Sequence, residues 1–220
     1  MDLKDEYLAR FFEELAREIS PNGTIKRFAD NSDVVGAFAE AAVARLVRRM
    51  VEPLRVSTGA VISPELIRDP SKVPQVDLII WAPNPLPAIF EAGDFALVPR
   101  RSVFGVIEVK RSNYSDASLR LKAFVDRDDL TIRVTPQTQV TPASGAARLQ
   151  RNVLGVVCLR EATAKDAVLD DLIQRGAAVC LIEKTESGYH PSTDGMKGLV
   201  NFLADVRFSA RELKDGVWLA

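Results

Sequence analysis

Apolar residues recur along this chain with two periods, and the switch between them separates helices from strands. Leu3, Tyr7, Phe11, Leu15 and Ile19 repeat every four residues, with Leu8 and Phe12 widening the stripe, which predicts an amphipathic helix. Ser20-Pro21-Asn22-Gly23 ends it. Asp30, Asn31, Ser32 and Asp33 then offer caps for a second helix, carried by Val35, Phe38, Ala39, Ala42, Val43, Leu46 and Met50 and closed by Pro53. From Arg55 the pattern changes. Arg55 to Ser63 reads as a strand interrupted by small residues, and Gly59 inside it marks close approach of another backbone or a ligand. Pro64 to Pro74 is a polar connection, and Gln75 to Trp81 is a strand of large apolar residues broken by one acid, Asp77.

Four prolines between residues 82 and 101 predict a stiff loop with an edge strand over Phe95 to Val98. Val103, Phe104, Val106, Ile107 and Val109 form the next apolar run, suited to a strand covered on both faces. Helices are expected over residues 116–126, 165–175 and 195–213, a long loop over 131–144, and strands over 153–159 and 177–183. The alternation predicts an α/β fold, a mixed central sheet flanked by helices.

With 220 residues, 47% of them hydrophobic, the expectation is one domain with one core. The 29 basic and 30 acidic residues leave a formal net charge of -1, so phosphate binding has to come from a local patch and not from a global field. No apolar signal core follows Met1 and no stretch is long enough to span a bilayer, which predicts a cytoplasmic protein with no membrane partner. Cys158 and Cys180 each lie in an apolar run and read as reduced core thiols. Those two and the lone His190, in a turn-like Gly188 to Pro191, leave too few ligands for a zinc site and no base for a Ser or Cys nucleophile. No Gly-rich phosphate loop occurs. Carboxylates and lysine are left to carry any chemistry.

The charges in the strands are where they do not belong. Glu108 and Lys110 are two apart in an apolar strand, so they share a face, and burying them costs several kcal/mol unless they are paired or hold a metal. Alone, Glu-x-Lys is equally what a structural ion pair at a strand end would leave. Asp77 in the preceding strand, and Glu40 at the edge of the second helix's apolar stripe, complete a series of three acids and one base.

A helix Glu, a strand Asp and then Glu-x-Lys on the following strand resembles the PD-(D/E)XK nuclease superfamily. The local wording is similar to a bacterial branch of unknown function in it, through Gly36 to Glu40, Val56 to Gly59, Pro74 to Ile80, Gly93 to Pro99 and Val106 to Lys110. The proline of the superfamily's name stands at Pro74 instead of directly before Asp77. The resemblance spans about residues 31–125 and implies a restriction-endonuclease-like αβββαβ core, metal-dependent hydrolysis of phosphodiester bonds in DNA, and a possible homo-oligomer. The site it implies is Glu40, Asp77, Glu108 and Lys110.

The donor chemistry agrees with the resemblance. Mg²⁺ takes hard oxygen ligands, typically one or two carboxylates with water and substrate phosphate, and Mn²⁺ suits the same set. Asp77, Glu108 and the Val109 carbonyl would hold it, Glu40 would ligate directly or through water, and Lys110 would orient the attacking water or stabilise charge. Ser57, Thr58, Gln75 and Ser112 either contact phosphate or are structural strand-end polars. Arg100, Arg101 and Arg111 form either a local basic patch or a solvated face. The rival to an enzyme is a binding or regulatory module that keeps the nuclease fold without turnover.

Overall fold

The computed structural model describes residues 3–20, 23–28, 31–62, 73, 75–83, 86–110, 155–158, 178–185, 188–191 and 193–214. Helix α1 (Leu3–Ile19) buries Leu8, Phe12, Leu15 and Ala16 and leaves Tyr7 half exposed, so its buried stripe is rotated away from Tyr7. A short helix α2 (Thr24–Phe28), not anticipated, follows the Gly23 turn. Helix α3 (Ser32–Val51) starts where the capping residues predict, the Asn31 side chain accepting the Asp33 N–H at 2.8 Å.

The strands are β1 (Arg55–Ile62), β2 (Gln75–Trp81), β3 (Phe90–Ala92), β4 (Phe95–Pro99), β5 (Val103–Lys110), β6 (Gly155–Cys158), β7 (Ala178–Thr185) and β8 (Gly188–Pro191), with helix α4 (Thr193–Lys214) closing the described chain. They lie in the order β3-β4-β1-β2-β5-β6-β7-β8. The sheet is mixed: β1/β4, β5/β6 and β6/β7 are parallel, and β1/β2, β2/β5, β3/β4 and β7/β8 antiparallel.

Two expectations need correction. Phe95 to Val98 is not an edge strand: Gly93, at φ 58, lets the chain reverse, so β3 takes the outer position and β4 pairs with β1. His190 lies not in a turn but in β8, paired opposite Glu183. The expected helices at 116–126 and 165–175 and the loop at 131–144 lie outside the described residues.

Helices α1, α3 and α4 share one core with Val56, Leu78, Ile80, Phe104, Ile107 and Val109 of the sheet. The opposite face is dry as well, with Ile79, Trp81, Val98 and Val106 fully or nearly fully buried. Burial on both faces explains why β2 and β5 read as continuous apolar runs. It also means that any charge on either strand is a buried charge.

Candidate active site

β2 and β5 run antiparallel with Leu78 opposite Ile107 and Ile79 opposite Val106. One residue further along that register, Asp77 stands opposite Glu108. Opposed residues of an antiparallel pair point to the same face, as does Lys110 two residues on. The alternation that sends Leu78, Ile107 and Val109 to the helices therefore sends Asp77, Glu108 and Lys110 together to the other side.

Contacts complete the cluster. Asp77 Oδ2 accepts the Val109 backbone N–H at 2.8 Å and the Lys110 ammonium at 3.1 Å. The same ammonium lies 3.0 Å from Glu108 Oε2. Glu108 is fully buried, Asp77 is 6% exposed, and the Lys110 side chain keeps 19% of its surface. Burial, and then the charge of Asp77, push the Glu108 carboxyl up to about 7 although Lys110 opposes them. Burial acts against the Lys110 ammonium too, but Glu108 and then Asp77 outweigh it and raise its pKa.

A bulge shapes the neighbouring strand. The β1/β2 register shifts between Ser57 and Gly59, just beside Asp77. Gly59 there has φ 137, and a Cβ on it would collide with the Ala96 carbonyl oxygen of β4, so the backbone approach read from the sequence is present. Bulges commonly redirect a strand next to a functional site. The Thr58 hydroxyl donates to the Val76 carbonyl at 3.4 Å, and its N–H to the Asp94 carbonyl at 2.8 Å. Gln75, exposed at the start of β2, shares the Asp77 face by alternation.

Other residues singled out in the sequence lie elsewhere. Ser57 is buried and its hydroxyl accepts the Trp81 indole N–H at 3.1 Å, a structural use. Arg100 and Arg101 are in a one-turn 3₁₀ helix before β5, at the far end of that strand from Glu108 and roughly 20 Å away at 3.3 Å per residue. They build no basic patch beside the carboxylates. Arg111 and Ser112 lie outside the described residues. Glu40 is half-buried on α3, which packs on the Leu78 and Ile80 face, opposite the one Asp77 and Glu108 use. Among the described residues no group of three His, Cys, Asp or Glu side chains that could hold a metal ion is found. The Val109 amide bond to Asp77 had no signal in the sequence, since backbone donors are the same at every residue.

The residues present suit a divalent ion in kind. Both side chains are hard oxygen donors, and a buried carboxyl pushed upward by burial and by a second carboxylate marks a place that favours added positive charge. Two carboxylates with water and phosphate are the way Mg²⁺ is commonly held.

A second charged region lies at the start of β1. Arg48, Arg49, Arg55, Glu52, Glu91 and Asp94 line an open cleft of about 550 Å³. Arg48 pairs with Asp94 at 2.7 Å, and two nitrogens of its guanidinium donate to the Val56 carbonyl, each at 3.3 Å. One Arg55 nitrogen reaches both Glu91 oxygens, at 2.8 and 2.9 Å, while its guanidinium lies over the Trp81 ring at 5.3 Å.

The class defined by the fold is α/β and restriction-endonuclease-like, as the sequence resemblance implied. Solved structures of NucC match the chain. NucC of E. coli MS115-1, in its cAAA-bound form, is 14% identical, with 95% of this chain and 91% of that one covered at a TM-score of 0.55. NucC of P. aeruginosa ATCC27853, also cAAA-bound, is 12% identical over 95% and 92% of the two chains, at a TM-score of 0.56. No protein-family model and no curated protein matches the sequence. Among the described residues no helix is long and apolar enough to cross a membrane.

Proposed function

We propose that this protein is a metal-dependent nuclease that hydrolyses phosphodiester bonds in DNA. The observation that carries the reading is the trio Asp77, Glu108 and Lys110, opposed across two neighbouring strands and buried together at their ends. A fold needs no such cluster: replacing buried ion pairs by apolar residues is often neutral or stabilising, so two acids and a lysine in a dry sheet call for a use. The nuclease-like fold supports the reading without identifying the substrate.

Asp77 and Glu108 would hold Mg²⁺ or Mn²⁺, with the Val109 carbonyl as a third oxygen and Glu40 as a further ligand, directly or through water. When bound, such an ion lowers the pKa of water and neutralises charge growing on the phosphate. The Val109 N–H holds Asp77 Oδ2, so the Asp77 carboxylate would be oriented before any ligand arrives. Lys110, a point charge on a flexible stem, orients the attacking water or faces the non-bridging phosphate oxygen. Gln75 and Thr58 flank the Asp77 end of β2 and would contact the substrate backbone.

The test is cleavage of single- and double-stranded DNA with the metal varied. Mg²⁺ and Mn²⁺ should support it and EDTA abolish it, while undiminished cleavage in EDTA would sink the metal mechanism. A chain that binds metal and DNA without turnover would instead be the binding module.

A further inference from the structure

The Lys110 ammonium stands within 3.1 Å of one oxygen of each carboxylate, at the point where a single cation can serve both. An ion bound through these oxygens would approach them to about 2.1 Å, the usual Mg²⁺–oxygen distance. The ammonium and the ion would then be within about 4 Å of each other, a repulsive arrangement wherever the effective dielectric is low. One of the two has to leave.

We infer that Lys110 and the divalent ion are alternatives at one place: the ammonium keeps the two buried carboxylates together, and metal binding displaces it. This rests on the metal-site reading above and adds an order of events to it. Lys110 is the last residue of β5 and its side chain is partly exposed, so a route outward exists. Its four-carbon stem supplies the movement. Glu108, fully buried, has no such route, and Asp77 is tied to the Val109 amide. The lysine is thus the mobile member of the trio. Displacement carries its charge toward the strand end, where a phosphate bound to the ion would lie. The rival arrangement seats the ion on the remaining oxygens, Asp77 Oδ1 and Glu108 Oε1, with the ammonium left in place.

Two measurements on the full chain decide between them, with Mn²⁺ alone as the probe. In titration calorimetry, Lys110→Met should bind Mn²⁺ about tenfold more tightly than wild type or better, because no charge-assisted contact has to be broken. In the wild type, saturating Mn²⁺ should speed labelling of Lys110 by an amine-reactive reagent several-fold, read by mass spectrometry at that residue. The labelling needs no variant, so it stands even if Lys110→Met does not fold. Tighter binding by the variant without a change in labelling would be a through-space charge effect and would overturn displacement. Equal affinities would overturn it too, and in both cases the metal site survives provided Asp77→Asn loses Mn²⁺. Absence of Mn²⁺ binding to the wild type, or undiminished binding by Asp77→Asn, would bring down the metal site and this inference together.

Discussion

The molecule holds two groups of paired charges on different elements, one beside Trp81 and one at Asp77, positions about 13 Å apart along β2 if one counts the four residues from Asp77 to Trp81. In the cleft beside β1, arginines and acids meet at 2.7 to 2.9 Å with side chains 40–74% exposed. At the ends of β2 and β5, two acids and one lysine meet at 3.0 to 3.1 Å with side chains 0–19% exposed. The shorter contacts are the less consequential ones. Water screens the first group, so each arginine could lose its acid and stay solvated. The second group has no water to fall back on, and an odd number of charges that cannot all be neutralised. Burial, and not the closeness of the pairs, separates a charge that ties down a hairpin from one that is available for chemistry.

The comparison breaks most sharply at Asp77. Asp77→Asn should lower DNA cleavage by about 10³-fold or more by removing a metal oxygen, and Lys110→Met by about 10²-fold, the scale of one preorganised charge. Steady-state rates with saturating Mn²⁺ check both, and near wild-type turnover in either would reduce the buried trio to the status of the cleft.

Gly59 lies close to both regions, since β1 starts at Arg55 and carries the bulge beside Asp77 at its middle. Gly59→Ala places a Cβ against the Ala96 carbonyl at a φ that L residues rarely adopt, and should cost about 3 kcal/mol or more. Urea unfolding would show it, and a loss under about 1 kcal/mol would mean that β4 moves aside.

Next in size is a pH effect from the buried group alone. Glu108 has its folded-state pKa raised from 4.5 to about 7, so folding holds a proton that the unfolded chain releases. Stability from this group is present in full below pH 4.5 and is lost as pH rises to about 7, on the order of 3 kcal/mol in all. Glu108→Gln should flatten that part of the profile, and saturating Mn²⁺ should reverse the loss. A wild type whose melting curve is level over this window in the absence of metal would contradict the electrostatic account of the site.

The smallest effects belong to the cleft. Glu91→Gln and Asp94→Asn should each change stability by about 0.5 kcal/mol or less, with what effect there is vanishing at high salt. A loss of several kcal/mol at either position would show that exposure is a poor guide to what these pairs do.

Much of this was legible along the chain. Asn31 caps α3 as its position promised, and β1, β2 and β5 begin and end within a residue or two of the apolar runs. Asp77, Glu108 and Lys110 stood out because a charge in an apolar strand violates a local rule, and one-dimensional patterns record such violations. The edge was misplaced because pairing order is not local: nothing in Phe95-Ala96-Leu97-Val98 says whether β1 or solvent lies beside it. Ser57 looked like a candidate for a polar contact, yet its hydroxyl accepts from Trp81, a partner 24 residues away.

Sequence by itself determined the periods, the caps, the strand that had to be dry on both faces, and the same-face placement of Glu108 and Lys110, since period-2 alternation is a property of the backbone alone. Tertiary structure decided everything that depends on register. One residue of slip between β2 and β5 would have turned Asp77 to the helix face and left Glu108 with Lys110 only. The observed register, with Leu78 opposite Ile107, puts the two carboxylates on one side of the sheet, facing away from the helices that cover Leu78 and Ile107.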